Sequence, residues 1–367
     1  MWKADLLFNG LLLVIDFLAF RYFQNLWKRS RRISVLIVPL LYGWTALGLA
    51  LFVTHYSMLR PFATMRFLGM TLFWHLPLLL LCVAAQRKLP FPAVLAFLLL
   101  AVYGYAYHVE PHTLEINRYE FKHALLQGLQ RPIVIAQISD IQTDRVGNFE
   151  RKVFEELAEL RPDIIFHTGD YLHCWTATSY AEQAALLRSL MLKANLKPQF
   201  GSFAVMGDSD QPHLWKNIFQ SQPAKILEDQ TILVHLPGVS INVTGLNPAT
   251  SRAESMEELR KSMHGSRKES LQLFIGHSPD YILALQQTDR TFLALAGHTH
   301  GGQVQLPLIG PIVTLTRIPR RYADYYGVFG TGILSVSRGI GMERLDAPRL
   351  RFLCRPEIRL ITLQPAP

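Results

Sequence analysis

Five short stretches of the sequence place a carboxylate, an amide or an imidazole directly after an apolar run. They read Ser-Asp-Ile-Gln at 139–142, Gly-Asp-Tyr-Leu-His at 169–173, Gly-Asp-Ser-Asp at 207–210, Gly-His-Ser at 276–278 and Gly-His-Thr-His-Gly-Gly-Gln at 297–303. Glycine beside these polar residues permits the tight turns that let several loops converge on one point. Convergence would bring together three carboxylates, one amide and three imidazoles: Asp140, Asp170, Asp208, Gln142, His277, His298 and His300.

This set of side chains suits divalent metal ions. Mixed oxygen and nitrogen ligands favour Mn, Fe or Zn, with Mg also possible, and the oxygen-rich character is unlike a structural zinc site. Alternate residues of an extended chain point to opposite sides, so His298 and His300 can both bind metal only if a loop or two adjacent metals lie between them. The His-Thr-His sequence therefore favours a centre with two metal ions.

The five stretches, in this order, resemble the calcineurin-like metallophosphoesterase family over residues 110–363, and most of all its membrane-associated branch. The similarity to that branch continues through Leu-Pro at 306–307, Gly-Pro at 310–311, Ser-Arg-Gly-Ile-Gly at 337–341 and Arg-Pro-Glu-Ile at 355–358. The resemblance implies an α/β fold of four layers, in which two mixed β-sheets pack face to face between outer helices. It also implies two metal ions at the strand ends.

The resemblance assigns a role to each predicted ligand. A first metal ion would be held by Asp140, Gln142, Asp170 and His300. Asp170 would also bridge to a second ion, held by Asp208, His277 and His298. The implied reaction is in-line attack on phosphorus by a metal-bound hydroxide, since a bound metal lowers the pKa of water from about 15.7 toward about 7.

Three positions depart from the pattern of most of the family. Gln142 stands where the family has His, and its amide oxygen is a weaker ligand for transition metals than imidazole. Asp208 stands where the family has Asn, which adds a negative charge that favours the second metal and repels anionic phosphate. Ser209 replaces a His thought to assist the leaving group.

His173 is a candidate replacement for that lost acid. It lies three residues after Asp170, where some family members carry the Asp that partners the acid His. The acid would then occupy the position of that Asp, and Ser209 would be its neighbour. The alternative is that His173 only hydrogen-bonds or lines the pocket. Weak leaving-group assistance, normally worth about 100-fold or more, favours diphosphates over simple alkyl phosphates.

The elements that must position these residues are short strands alternating with helices. Apolar and β-branched runs predict strands at 133–139, 163–168, 202–206, 232–236, 240–244, 271–275, 292–296, 333–337 and 357–363. Helical spacing predicts helices at 150–160, 179–194, 254–264 and 280–287. We expect residues 131–367 to form the metallophosphoesterase domain and residues 110–130 to be a linker.

Residues 1–109 precede this domain as a transmembrane segment. Four apolar stretches, at 6–26, 33–53, 67–85 and 91–107, fit the ~20 residues that a spanning helix needs. The loops near residues 28–32 and 87–88 carry six basic residues against two in the middle loop, so we expect them to face the cytoplasm. An even number of spans then places the catalytic domain on the extracytoplasmic side of the membrane.

The distribution of charge helps to select the partners. The first 109 residues carry a net charge of +8 out of +9 for the whole chain, so the predicted domain is nearly neutral, which argues against nucleic acid as a partner. We expect a lipid bilayer and a phosphorylated small-molecule or lipid substrate instead. The alternative function is a catalytically weak, metal-binding or regulatory membrane protein of the same fold.

Overall fold

The protein consists of two compact units. The structure is a computed structural model that describes residues 2–254, 259, 270–286, 288 and 290–366. One unit comprises Met1–Val109 with Arg344–Arg349, and the other comprises Glu110–Glu343 with Leu350–Pro367. We call them the helical unit and the sheet unit, and describe each by itself.

The sheet unit is built on two six-stranded mixed sheets. The described strands are β1 Glu115–His123, β2 Ile133–Ile138, β3 Ile164–His167, β4 Ser202–Ala204, β5 Ala224–Ile226, β6 Gln230–Leu236, β7 Val239–Gly245, β8 Gln272–Ile275, β9 Phe292–Ala296, β10 Gln305–Leu306, β11 Gly310–Pro311, β12 Tyr325–Phe329, β13 Gly332–Val336 and β14 Glu357–Pro365. The first sheet has the order β1-β14-β2-β3-β4-β5 and the second β12-β13-β9-β8-β7-β6, while β10 and β11 form a small hairpin.

Parallel pairing dominates the strands that lead to the predicted ligands. In the first sheet β2, β3 and β4 are parallel neighbours, and in the second sheet β8 and β9 are parallel neighbours. The carboxyl ends of parallel neighbours meet at one edge of a sheet, where loops carry chemistry. The topology therefore gathers the loops after these five strands.

Alternation along the strands creates the layers, because successive side chains point to opposite faces of a sheet. In β2, Ile135 packs in the core between the two sheets, whereas its neighbour Ala136 packs against the outer helices. The helices Asn148–Glu159 and Ala177–Ala194 cover the first sheet, and Ile282–Leu285 packs on the outer face of the second. The predicted four-layer α/β fold is confirmed.

The interpretation of residues 110–130 as a linker is wrong. These residues contain β1, which pairs with β14 in a continuous parallel register from Glu115 with Glu357 to His123 with Pro365. The strand was missed because it carries Glu115, Arg118, Glu120 and Lys122, and charged side chains are typical of the exposed edge of a sheet.

The other predicted elements fall close to the observed ones. All nine predicted strands are present, with ends shifted by up to two residues. The predicted helix 280–287 is a 3₁₀ turn, Pro279–Tyr281, followed by the short helix Ile282–Leu285. The predicted helix 254–264 lies almost entirely outside the described residues, as does residue 287.

Four helices are long and apolar enough to cross a membrane: Trp2–Arg29, Ile37–Tyr56, Phe62–Arg87 and Pro90–His112, and all of their residues except Glu110–His112 belong to the helical unit. The first two helical segments are Trp2–Arg29 and Arg31–Tyr56, the third span joins Phe62–Met70 to Leu76–Arg87 through a π-helical turn, Thr71–His75, and the fourth runs from Pro90–Gly104 into a second π-helical turn, Tyr105–Val109. Large apolar side chains such as Phe17, Leu40 and Phe97 are exposed along them. The prediction of four apolar helices is confirmed.

Candidate metal centre

Each predicted ligand follows the carboxyl end of a strand. Asp140 and Gln142 follow β2, Asp170 follows β3, Asp208 follows β4, and His277 follows β8. His298 and His300 follow β9. All seven side chains except that of Asp208 belong to buried residues.

The backbone is held in an unfavourable conformation at most of these positions. The φ angle is positive at Asp140 (49°), Gln142 (32°), Asp170 (57°), His298 (70°) and His300 (49°). Residues other than glycine rarely adopt positive φ, and each instance costs about 1–3 kcal/mol. Five such residues at the ends of three strands indicate that the surrounding loops are built to aim these side chains.

Two glycines allow the loops to approach one another. A Cβ atom at Gly207 would collide with the carboxylate of Asp170, and a Cβ atom at Gly297 would collide with Ser139 and Asp140. These glycines are therefore required by close packing within the site.

The carboxylates and imidazoles form one continuous cluster. Asp140, Asp170 and His277 form one group that could hold a metal ion, and Asp208, His277 and His298 form another; within each group the ligand atoms lie within 4.8 Å of one another. His277 Nε2 lies 3.2 Å from both Asp170 Oδ2 and Asp208 Oδ1. His298 Nδ1 lies 3.4 Å from Asp208 Oδ2, and His300 Nε2 lies 3.7 Å from Asp140 Oδ1.

Hydrogen bonds on the far side of two imidazoles fix which nitrogen faces the cluster. His277 Nδ1 lies 2.9 Å from the carbonyl oxygen of Thr168, and His298 Nε2 lies 3.2 Å from the carbonyl oxygen of Leu315. A carbonyl oxygen can only accept, so each of these nitrogens carries the proton. The opposite nitrogens face each other at 3.3 Å, and this outer-shell arrangement is the usual way of presenting a histidine to a metal.

The electrostatics of the cluster are those of a cation site. Burial raises the pKa of Asp140. Burial also opposes ionisation of Asp170, but His277 and the hydrogen bond from the Ser209 backbone outweigh it and lower the pKa of Asp170. Burial likewise disfavours a charged His277, yet the Asp170 carboxylate raises the pKa of His277 to about 9. A metal ion at His277 Nε2 would therefore compete with a proton for that nitrogen. These residues fit a divalent metal ion.

Gln142 makes contacts that the sequence did not predict. Its Nε2 lies 3.1 Å from Glu343 Oε2 and 3.1 Å from His173 Nδ1, and His173 Nδ1 lies 3.3 Å from Glu343 Oε1. Because both contacts use the amide nitrogen, the amide oxygen is the atom of Gln142 that would bind a metal. Burial and the charge of Asp170 raise the pKa of Glu343 to about 7.

Ser209 lies beside Asp170. Its backbone N–H donates to Asp170 Oδ1 at 2.8 Å, and its hydroxyl donates to the Leu172 carbonyl at 3.3 Å. The contacts described for His173 are with Gln142 and Glu343, so the pairing of His173 with Ser209 stays a prediction.

Asp210 is the residue that ties two of the loops together. One carboxylate oxygen accepts from the backbone N–H groups of Asp170 and Gly207, at 2.9 Å each. The other accepts from the Tyr171 N–H at 2.9 Å, the Tyr180 hydroxyl at 3.0 Å and the Leu172 N–H at 3.4 Å. Sequence reasoning gave it no role, although its place two residues after Asp208 was a signal.

Arg252 was also missed. Its guanidinium forms an ion pair with Asp208 Oδ2, while its side chain remains 41% exposed. A cation at this carboxylate offsets the negative charge that Asp208 adds to the cluster.

Comparison with known proteins identifies the family. Residues 133–302 match the sequence pattern of the calcineurin-like phosphoesterases. The Bacillus subtilis metallophosphoesterase YkuE is 30% identical over 275 residues, covering 71% of this chain and 90% of YkuE. The Escherichia coli phosphodiesterase YaeI is 25% identical, covering 71% of this chain and 92% of YaeI. The UDP-2,3-diacylglucosamine pyrophosphatase LpxG of Chlamydia trachomatis is 23% identical, covering 70% of this chain and 91% of LpxG. The chain belongs to the calcineurin-like phosphoesterase family of metal-dependent phosphoester hydrolases.

Proposed function

We propose that the protein is a membrane-anchored phosphodiesterase or diphosphatase with two divalent metal ions in its centre. The observation that carries the proposal is the single cluster of three carboxylates and three imidazoles with its two overlapping ligand groups. Asp140, Gln142, Asp170 and His300 would hold the first ion; Asp170, Asp208, His277 and His298 would hold the second. Mn, Fe or Zn suits these ligands best, and Mg is possible.

The chain's own residues would then perform four tasks. The metals, when bound, supply an activated water nucleophile and neutralise charge on the phosphate oxygens. The carbonyls of Thr168 and Leu315 keep two imidazoles in the ligating tautomer. Asp210 holds the loops of Asp170 and Asp208 together. His173, oriented by Glu343, would donate a proton to the leaving group, with Ser209 nearby.

We propose a lipid-linked or envelope phosphate as the substrate. The four apolar helices would hold the sheet unit at a bilayer, where such substrates reside. Two relatives bear the names phosphodiesterase and UDP-2,3-diacylglucosamine pyrophosphatase, and the second name describes a diphosphate on a lipid. The weak assistance expected at Ser209 favours a diphosphate, because its leaving group needs less protonation.

Assays of the full chain in detergent with Mn²⁺ test this proposal. The substrates are bis-p-nitrophenyl phosphate and a nucleoside diphosphate-linked lipid, and the variants are Asp170→Asn and the exposed control Glu228→Gln. We expect Asp170→Asn to lose at least about 100-fold in rate while Glu228→Gln retains the wild-type rate. Equal rates for Asp170→Asn and wild type would show that the metal centre takes no part in the reaction. Metal binding by the wild-type chain without turnover of either substrate would favour the regulatory alternative.

The side of the membrane is a separate proposal. We propose that the sheet unit is extracytoplasmic, since Lys28, Arg29 and Arg31 cluster at the junction of the first two helices and Arg87 and Lys88 at that of the last two. Reporter fusions after Gly330 and after Ser30 test it. A reporter active only in the cytoplasm should work after Ser30 and fail after Gly330, and the reverse result would place the catalytic unit in the cytoplasm.

A further inference from the structure

The helical unit lines an open cavity of about 680 Å³. Apolar and aromatic side chains form most of its wall, among them Leu13, Met70, Trp74, Leu78, Tyr103 and Tyr107. This volume and lining are typical of a site for a small amphiphilic molecule.

The cavity wall includes charged side chains that lie near helix ends. Asp5 lies in the first turn of its helix and Arg66 in the second turn of the helix that begins at Phe62, so both lie near helix ends, where lipid headgroups reside. Leu78 follows Arg66 by 12 residues, which corresponds to about 18 Å along a helix. The cavity therefore extends from headgroup depth into the apolar layer.

Among the described residues of this wall, the guanidinium of Arg66 and the Oδ1 atom of Asp5 have incomplete hydrogen bonds. Its side chain is 11% exposed, and Asp5 Oδ1 lies 3.0 Å from Nη2 without the alignment of a hydrogen bond. Among the described residues neither Nε nor Nη2 has a hydrogen-bond acceptor. Buried donors without acceptors are costly, so an anionic oxygen inside the cavity would complete this site.

The neighbouring polar groups are satisfied among themselves. His75 Nδ1 lies 2.6 Å from Asp16 Oδ2 and Nε2 lies 2.9 Å from Asn9 Oδ1, while the Tyr42 hydroxyl donates to Asp16 Oδ1 at 2.8 Å. Asp16 is therefore satisfied by His75 and Tyr42, whereas the Arg66 donors that lack an acceptor lie in the cavity wall. The cavity favours an anion.

The helix geometry marks the same place. Two π-helical turns, Thr71–His75 and Tyr105–Val109, both contribute to the wall, through Trp74 and His75 in the first and Tyr107 in the second. Single π-helical turns inside helices occur frequently at functional sites. The rings of Tyr103 and Tyr107 pack against each other in a tilted arrangement, with their centroids 4.6 Å apart.

We propose that this cavity binds a lipid phosphate, with the phosphate against Arg66 and Arg349 and one hydrocarbon chain along Leu13, Trp74 and Leu78. The inference concerns the helical unit and does not rest on the proposed hydrolase activity. In the sequence Glu343 directly precedes the segment Arg344–Arg349, which belongs to the helical unit and supplies Arg349 to the cavity.

Quenching of tryptophan fluorescence tests the site, because Trp74 lines it. The full chain in neutral detergent, with EDTA to prevent turnover, is titrated with phosphatidic acid brominated in its acyl chains, with brominated diacylglycerol, and with inorganic phosphate as competitor. We expect saturable quenching by the phosphatidic acid that is mostly lost in Trp74→Phe. Diacylglycerol should bind at least about tenfold more weakly, since hydrogen bonds to charged groups are worth about 1.5–3 kcal/mol.

Matched variants separate the site from general lipid binding. Arg66→Gln should weaken phosphatidic acid at least about tenfold without changing diacylglycerol, whereas Arg21→Gln, the same change at an exposed position of the helical unit, should have no effect. Leu78→Asn, at a half-exposed position of the wall, should weaken both lipids and remains informative if Arg66→Gln does not fold. Equal affinity for the two lipids, or full displacement by inorganic phosphate at concentrations near those of the lipid, would overturn the proposal.

Discussion

The substitution Asp210→Asn tests whether the metal centre depends on the carboxylate that joins its loops. One oxygen of Asp210 accepts two hydrogen bonds and the other accepts three, and four of the five donors are backbone N–H groups. An asparagine turns its NH₂ group toward two or three of these donors, depending on its orientation, so at least two buried donors lose their acceptor. At about 1–3 kcal/mol for each, the expected loss of unfolding free energy is about 2–6 kcal/mol.

Thermal unfolding of the full chain in detergent measures this loss. A loss of about 3 kcal/mol corresponds to a midpoint about 6–12 °C lower for a unit of this size. Mn²⁺ affinity should also fall by at least about tenfold. The hydrogen bond from the Asp170 N–H to the Asp210 carboxylate stabilises the unfavourable positive φ of Asp170 (57°), and without it the Asp170 side chain would lose its ligating position. The exposed Glu228→Gln serves as the control.

A midpoint within about 2 °C of wild type together with unchanged Mn²⁺ affinity would refute this reasoning. Lower stability with unchanged affinity would confine Asp210 to folding, since the ligands would then keep their positions without it. The two measurements together therefore separate a structural role from a role in aiming the ligands.

Three further predictions follow from buried or paired groups. Burial lowers the pKa of His167 to about 3, so as pH drops below 6.5 the unfolded chain binds a proton that the folded chain does not, and the protein loses stability. His167→Gln should reduce the loss of unfolding free energy between pH 7.5 and pH 5 by about 2 kcal/mol, measured by unfolding at both pH values. Glu343→Ala removes an acceptor from Gln142 Nε2, and calorimetry should show the affinity for one Mn²⁺ lowered about fivefold, whereas unchanged affinity would leave Glu343 without a positioning role. Arg252→Gln removes an exposed competitor for Asp208 and should raise the affinity for one Mn²⁺ by up to about fivefold; weaker binding would contradict that competition.

The sequence predicted those parts of the fold and site that depend on local pattern. The buried strand β9 is a continuous apolar run and β2 is interrupted only by Gln137, so the polar residues that follow these strands were recognisable in the sequence. The edge strand β1 was not recognisable in this way, because charged residues alternate along this strand at the exposed edge of the sheet. Its identity as a strand comes from pairing with β14, more than 200 residues away.

The missed site residues have the same explanation. Glu343 lies in an irregular segment after β13, and Arg252 follows the short helix Pro248–Ser251, so neither stands at the end of a strand. Their roles arise from contacts with Gln142 and Asp208, distant residues that only the folded chain brings near. Local pattern cannot predict such contacts.

The departures from the family pattern are compensated by these same residues. In the proposed centre Asp208 adds a negative charge where most of the family has a neutral amide, and the positive charge of Arg252 on that carboxylate would restore the net charge that an incoming phosphate meets. Gln142 offers a weaker ligand than imidazole, but Glu343 and His173 engage its amide nitrogen and direct its oxygen away from themselves. A ligand that is held in place loses less entropy on binding a metal, which offsets part of its weakness. Each of these contacts links a substitution in a ligand loop to a residue outside the loops, so we propose that the residues of the centre have changed together and that the centre keeps its capacity to bind metal.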